Sequence, residues 1–176
     1  MSADRAASIL ARFNAAHHAL VGALRELPPD VAERRPSADA WSAAQIGCHV
    51  AMTNEWAAGI LSGATPMAQP APADFTESFA GTARPARVRT SPAMEPPAVV
   101  SCEVALERLR ESCHHLSKAI ASLSAERGSG YTVTLRFGTL SLFELADFIA
   151  GHVARHLAQV ERTVADLASP EGRALV

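Results

Sequence analysis

Apolar side chains recur at steps of three and four in four stretches of this chain, and most stretches carry their own start or stop signals. Leu10, Phe13, Leu20, Leu24 and Leu27 mark the first, which ends at Pro28-Pro29. In the second, Ser42 and Gln45 have the form of a capping box, and Ile46, Val50, Trp56 and Ile60 follow until Gly63 and Pro66. Cys102, Leu106, Leu109, Cys113, Leu116, Ile120 and Leu123 form the third, closing near Gly128. A second capping box, Ser141 with Glu144, opens the fourth, whose stripe runs from Leu142, Leu145 and Ile149 through Val160 to Leu167 before Pro170. The pattern predicts helices over about 4–27, 42–61, 101–126 and 141–168.

Between the second and third helices, residues 62–100 hold seven prolines, Pro66, Pro70, Pro72, Pro85, Pro92, Pro96 and Pro97, which no helix interior accommodates. This is a long crossover, with room for one short helix near Asp74 to Phe79. Tyr131, Val133, Leu135 and Phe137 alternate with Thr132, Thr134 and Arg136, the period of a strand, until Gly138. A lone strand is not stable, so this one is expected to pack across the bundle end or to pair with the crossover or another subunit. The fold class expected is all-α: one domain over 1–176, a four-helix bundle with a long crossover between helices two and three and a short extended segment before helix four.

Composition narrows the function. The 176 residues are 48% hydrophobic and 19% charged with a net charge of −2, which points neither to a disordered chain nor to a polyanion-binding surface. Lys118 is the single lysine, and the arginines form no dense run, so neither nucleic acid nor an anionic membrane is an expected partner. The start of the chain lacks the apolar core of a signal peptide and no stretch is apolar enough to span a bilayer, so a cytoplasmic location is expected. Cys48, Cys102 and Cys113 are an odd set without CxxC spacing and read as free thiols.

Candidate chemistry lies in the histidines. Steps of three and four from Leu145 and Ile149 reach His152, His156 and Gln159, and the seam of helix two runs Ile46, His49, Thr53, Trp56 and Ile60. Three imidazoles therefore face inward from two helices. Side chains four apart on a helix lie about 6 Å from each other, close enough for His152 and His156 to share one ion, and three neutral imidazoles suit zinc, nickel or another late divalent ion. Three protein ligands leave a position open, the catalytic pattern, in which a bound water would have its pKa lowered toward about 7. Val153, Ala154 and Arg155 separate the pair, which excludes an HExxH protease.

Thr53, Trp56 and Gln159 are candidate pocket-lining residues, as is His17, which shares a stripe with Leu10, Phe13, Leu20 and Leu24. For His17 the competing reading is a core imidazole bonded to a backbone carbonyl. Cys48 is rotated about 100° from His49 and should not share its ion. Trp41 reads as a hydrophobic staple ahead of the second helix.

The segment Trp41-Ser42-Ala43-Ala44-Gln45-Ile46-Gly47-Cys48-His49-Val50 resembles the entry to the second helix of the DinB/YfiT-like superfamily. Gly138-Thr139-Leu140, Glu144-Leu145, His152-Val153-Ala154-Arg155-His156 and Gln159-Val160 resemble that superfamily's fourth-helix signature, a paired histidine followed by Gln. The resemblance implies a four-helix bundle, often dimeric, that binds a divalent metal through three histidines, mapping here to His49, His152 and His156. It further implies relatives that are metal-dependent thiol transferases, a thiol-dependent maleylpyruvate isomerase, or hydrolase-like proteins. The expected function is accordingly a metal-dependent enzyme that activates a low-molecular-weight thiol or water for attack on a small-molecule electrophile. The competing expectation is a non-catalytic, stress-associated bundle that binds metal or serves dimerisation. Ala-rich outer helix faces permit the expected homodimer.

Overall fold

The computed structural model describes residues 2–78 and 90–169. It is mostly helical, in the order α1 (Ser2–Arg25), α2 (Pro29–Glu33), α3 (Ala43–Ser62), β1 (Gln69–Pro70), a 3₁₀ turn (Pro92–Met94), α4 (Cys102–Ala121), α5 (Ala125–Gly130), β2 (Tyr131–Leu135), β3 (Gly138–Ser141) and α6 (Leu142–Ala168). The four long helices form the bundle. α3 packs most extensively on α4 and α1 on α6, while the α3–α6 and α1–α4 contacts close the ring. Phe13, Leu20, Leu24, Ile46, Ile60, Leu109, Leu116, Phe143 and Leu145 are fully buried between them. All but Phe143 are three-four positions of the sequence pattern, and burying each contributes on the order of 1.5–3 kcal/mol. No helix among the described residues is long and apolar enough to cross a membrane.

Both capping boxes form, and they set the two helices that carry the histidines. At α3, Ser42 Oγ accepts the Gln45 N–H at 3.1 Å and Gln45 Oε1 accepts the Ser42 N–H at 3.0 Å. The Gln45 amide also donates to the carbonyls of Pro97 and Ala98, tying the crossover to the start of α3. At α6, Ser141 Oγ and the Glu144 carboxylate make the same reciprocal pair, at 3.1 and 2.8 Å. The far end of α3 turns at Gly63, whose φ of 85° is a left-handed conformation few other residues tolerate. Arg127 then donates to the carbonyls of Ile60 and Leu61 in the last turn, the former also accepting the Gly63 N–H.

Several elements differ from the sequence-based expectation. The third helix ends at Ala121, and α5 starts separately after its own cap, Ser124. Leu123 stays buried across the break, which is why the apolar stripe reads as continuous. Gly128 lies so close to Phe143 that a Cβ there would fall 2.2 Å from the ring, fixing α5 against α6. α2 was not expected; proline at its start suits a first helical turn, and Glu33 at its end caps α4 by accepting the Cys102 N–H at 3.0 Å.

The extended segment pairs twice. β2 runs antiparallel to Gln69–Pro70 of the crossover and to β3, with Val133 opposite Leu140 and Leu135 opposite Gly138. Phe137, expected to continue the strand, instead occupies the hairpin turn, because Gly138 at φ 136° lets the chain reverse. No helix forms in the described part of the segment expected to hold one: 74–78 is turn and coil, and Phe79 lies outside the described residues, as does Pro85. The crossover's short helical turn lies at Pro92–Met94, where proline again occupies a first-turn position.

Candidate metal centre

α3 carries His49 and α6 carries His152 and His156, and the packing of α3 on α6 brings their rings together. His49 Nε2 lies 3.3 Å from His152 Nε2, which lies 3.1 Å from His156 Nε2. One ring nitrogen from each falls within 4.8 Å of the others. His49 and His152 are buried, 5% and 6% exposed, and His156 is half-buried. For imidazole–zinc distances of 2.0–2.1 Å, the edge of a tetrahedron of ligands is about 3.3 Å. The two short separations are of that size.

The outward nitrogens of the two outer rings are fixed by hydrogen bonds. His49 Nδ1 lies 2.7 Å from the carbonyl oxygen of Met94, which only accepts, so this nitrogen carries the proton and donates it. His156 Nδ1 lies 2.7 Å from Gln159 Oε1, and with the amide oriented so it too donates. A neutral imidazole protonated at Nδ1 has its lone pair on Nε2. Two Nε2 lone pairs thus point at His152 Nε2, whose single possible N–H can be directed along only one of the two lines.

Burial favours the neutral form of the two outer rings. It lowers the pKa of His49, with the Met94 carbonyl acting weakly the other way. His156 falls to about 4, first through burial and then through repulsion from His49 and from the charges of Arg155 and Arg162. These rings offer lone pairs, not protons, throughout the physiological range.

Aromatic rings wall the cluster. Trp41 lies 5.0 Å from His49, centroid to centroid, and Phe148 lies 6.1 Å from His152. Phe137 packs on Phe148 at 5.1 Å. The Trp41 contact and the Met94 carbonyl are what the residue pattern does not reveal. Trp41 reads there as a staple, and a backbone carbonyl has no side-chain signature at all.

The other sequence candidates divide. Gln159 joins the cluster through His156. Thr53 is buried one turn after His49, but its hydroxyl donates to the His49 backbone carbonyl at 2.9 Å. Trp56 is half-buried against the main core and makes no ring contact with the three imidazoles. His17 lies elsewhere: its Nε2 is 3.1 Å from the Leu109 carbonyl oxygen, and it lines a groove of about 910 Å³ between α1 and α4 with Val21, Leu106 and Cys113.

The cysteines stand apart from the cluster. Cys48 is buried with Ala44, Val100 and Ala105, and Arg108 approaches its sulfur at 3.4 Å. Burial raises the Cys102 and Cys113 thiols, so neither is an activated nucleophile.

Comparison with curated proteins and with solved structures gave no match. A family model, that of the DinB superfamily, matches residues 12–160, from midway along α1 past the last of the three histidines. With a bundle of this topology and most of its length matched, the chain belongs to the DinB superfamily.

Proposed function

We propose that this protein is a metal-dependent enzyme in which His49, His152 and His156 hold a divalent ion, zinc or nickel, for attack of a small thiol or water on a small electrophile. One observation carries the reading: both outer imidazoles donate Nδ1–H away from the cluster, so their Nε2 lone pairs converge on a third imidazole. Without a cation, at least one buried nitrogen in such an arrangement lacks a proper partner, a cost of about 1–3 kcal/mol. Three neutral imidazoles with this spacing fit a late divalent ion and leave room for one more ligand. Such an ion supplies Lewis acidity, lowering the pKa of a bound thiol or water and polarising a carbonyl.

The chain's own groups do the rest. Met94 and Gln159 hold two of the rings in one tautomer and orientation. Trp41 and Phe148 set apolar rings beside His49 and His152, and an apolar surround strengthens electrostatic interactions at the site. The groups bonded to His49 and His156 are a carbonyl and an amide, neither of which can take a proton from water as a general base. That favours a thiol as nucleophile, since its free pKa of about 8.5 needs far less lowering than that of water.

Protein purified without an affinity tag, metal-analysed and then titrated with zinc and nickel, tests the site. One tightly held ion per chain, lost in His152→Ala, is expected; a folded protein that refuses both metals overturns the proposal. Monochlorobimane offered with a panel of cellular thiols, against ester substrates with water alone, then separates thiol transfer from hydrolysis. A second reading, a non-catalytic staple, draws on the way the cluster ties α3 to α6 across 103 residues of chain. On that reading His152→Ala lowers the melting temperature and metal content together, and no thiol is consumed.

A further inference from the structure

The three imidazoles leave the positive charge beside them unexplained. Arg155 precedes His156 on α6 and shares a helix stripe with Phe148 and Arg162, since positions seven apart differ by only about 20° around the axis. Its guanidinium carbon lies 5.5 Å from the centre of the Phe148 ring, and that ring lies 6.1 Å from the His152 ring. The guanidinium and the cluster therefore both border the Phe148 ring. The charges of Arg155 and Arg162 both reach His156.

Among the described residues Arg155 has no counter-ion. It is half-buried, its Nη2 is shielded from solvent, and that nitrogen finds no hydrogen-bond acceptor among the described residues. No ion pair among the described residues involves it, whereas Arg12 of α1 pairs with Asp147 of α6. A half-buried guanidinium without an acceptor is costly, and a ligand oxyanion would supply one. The planar fork of arginine matches a carboxylate in two parallel hydrogen bonds, and the stacked Phe148 ring holds that fork in place.

We propose that Arg155 receives a carboxylate on the small molecule handled at the three-histidine site, so that the substrate class is a small organic acid. The reacting end of such a molecule meets His49, His152 and His156 while its carboxylate meets Arg155, with Phe148 as the shared wall. Arg155 is then a substrate-positioning residue. This inference rests on the metal-site reading above.

The test uses the full chain loaded with Co²⁺ and follows thiol binding by the sulfur-to-cobalt absorption, comparing mercaptoacetate with 2-mercaptoethanol. Mercaptoacetate is expected to bind at least about tenfold more tightly, an advantage that collapses in Arg155→Met, partly returns in Arg155→Lys, and is untouched by Arg110→Met on α4. An advantage that persists undiminished in Arg155→Met reflects chelation by the thiol acid alone and overturns the inference, as does no advantage at all. Circular dichroism of each variant confirms its fold.

The metal-free protein provides an independent arm. Succinate is expected to quench tryptophan fluorescence saturably, because Trp41 lies against His49, while succinamide and the Arg155→Met variant give no such response. Failure to take up Co²⁺ with an Arg155-dependent succinate response sinks the metal reading and keeps the anion site. Loss of Arg155 dependence in both arms sinks the anion site and leaves the metal reading standing. Succinate competing with mercaptoacetate on the Co²⁺ protein places the carboxylate on the electrophile's side, and mercaptoacetate selectivity without that competition places it on the thiol.

Discussion

Two regions of this bundle bury imidazoles on seams that should be apolar, and they solve the problem in different ways. Between α1 and α4, His17 directs a ring nitrogen at the Leu109 carbonyl oxygen and packs its ring beside Phe13. Between α3 and α6, His49 and His156 make comparable bonds, to Met94 and Gln159, but through Nδ1, which leaves Nε2 of each aimed at a third ring. Burial lowers the pKa of all three of these rings. What separates a packing histidine from a candidate ligand is therefore neither burial nor neutrality. It is where the second nitrogen points, and whether other lone pairs meet it there.

Substitution at the two regions should break along that line. His152→Ala removes the ring that both other Nε2 atoms approach, and should weaken zinc binding by on the order of 100- to 1,000-fold, one ligand's share of a typical structural-zinc binding energy of ~10–16 kcal/mol. His17→Leu should leave zinc affinity within about twofold, as expected for sites without shared partners. Its effect belongs to stability, about 1 kcal/mol, because the Leu109 carbonyl keeps a second donor in the Ser112 hydroxyl. Isothermal titration with zinc and thermal melts of both variants read the contrast; equal losses of metal at the two sites would erase it.

Gln159 supplies the next largest effect. Gln159→Leu removes the acceptor that orients His156 and leaves all three ligands in place, so zinc affinity should drop roughly 10–100-fold with little change in melting temperature of the metal-free protein. An unchanged affinity would mean that His156 needs no orienting partner.

Much of this contrast is legible in the residues, and the limits are physical. The seam positions of His49, His152 and His156 follow from helix periodicity, and both capping boxes that launch their helices are local signals of a few residues. His17 obeys the same periodicity, so its seam position alone does not separate it from the cluster. The separation comes from which helices neighbour each other around the ring, and that is set by packing across about a hundred residues. The Met94 contact arises from a main-chain oxygen in a proline-rich crossover, where no side chain marks the position. The break between α4 and α5 is hidden for a related reason: Leu123 keeps the apolar rhythm while the backbone leaves the helix at Ala121.

Acid sharpens the comparison last and most gently. His17, His49 and His156 all have folded pKa values below the ordinary 6.5, that of His156 at about 4. Below pH 6.5 the unfolded chain therefore binds protons that the folded chain does not, and stability falls as the pH falls. For His156 the loss runs from about pH 6.5 down to about 4 and then levels off, with a slope approaching about 1.4 kcal/mol per pH unit for each such histidine. Metal-free wild type should show this slope in urea melts between pH 7 and 4, and either His17→Leu or His156→Gln should flatten it. Zinc should separate the two regions: an ion on the cluster opposes protonation of His49 and His156 and steepens their share of the slope, while the His17 share stays as it was. If zinc altered the His17 share and left that of the cluster unchanged, the two regions would have exchanged roles, and the convergence of lone pairs between α3 and α6 would not be a metal site.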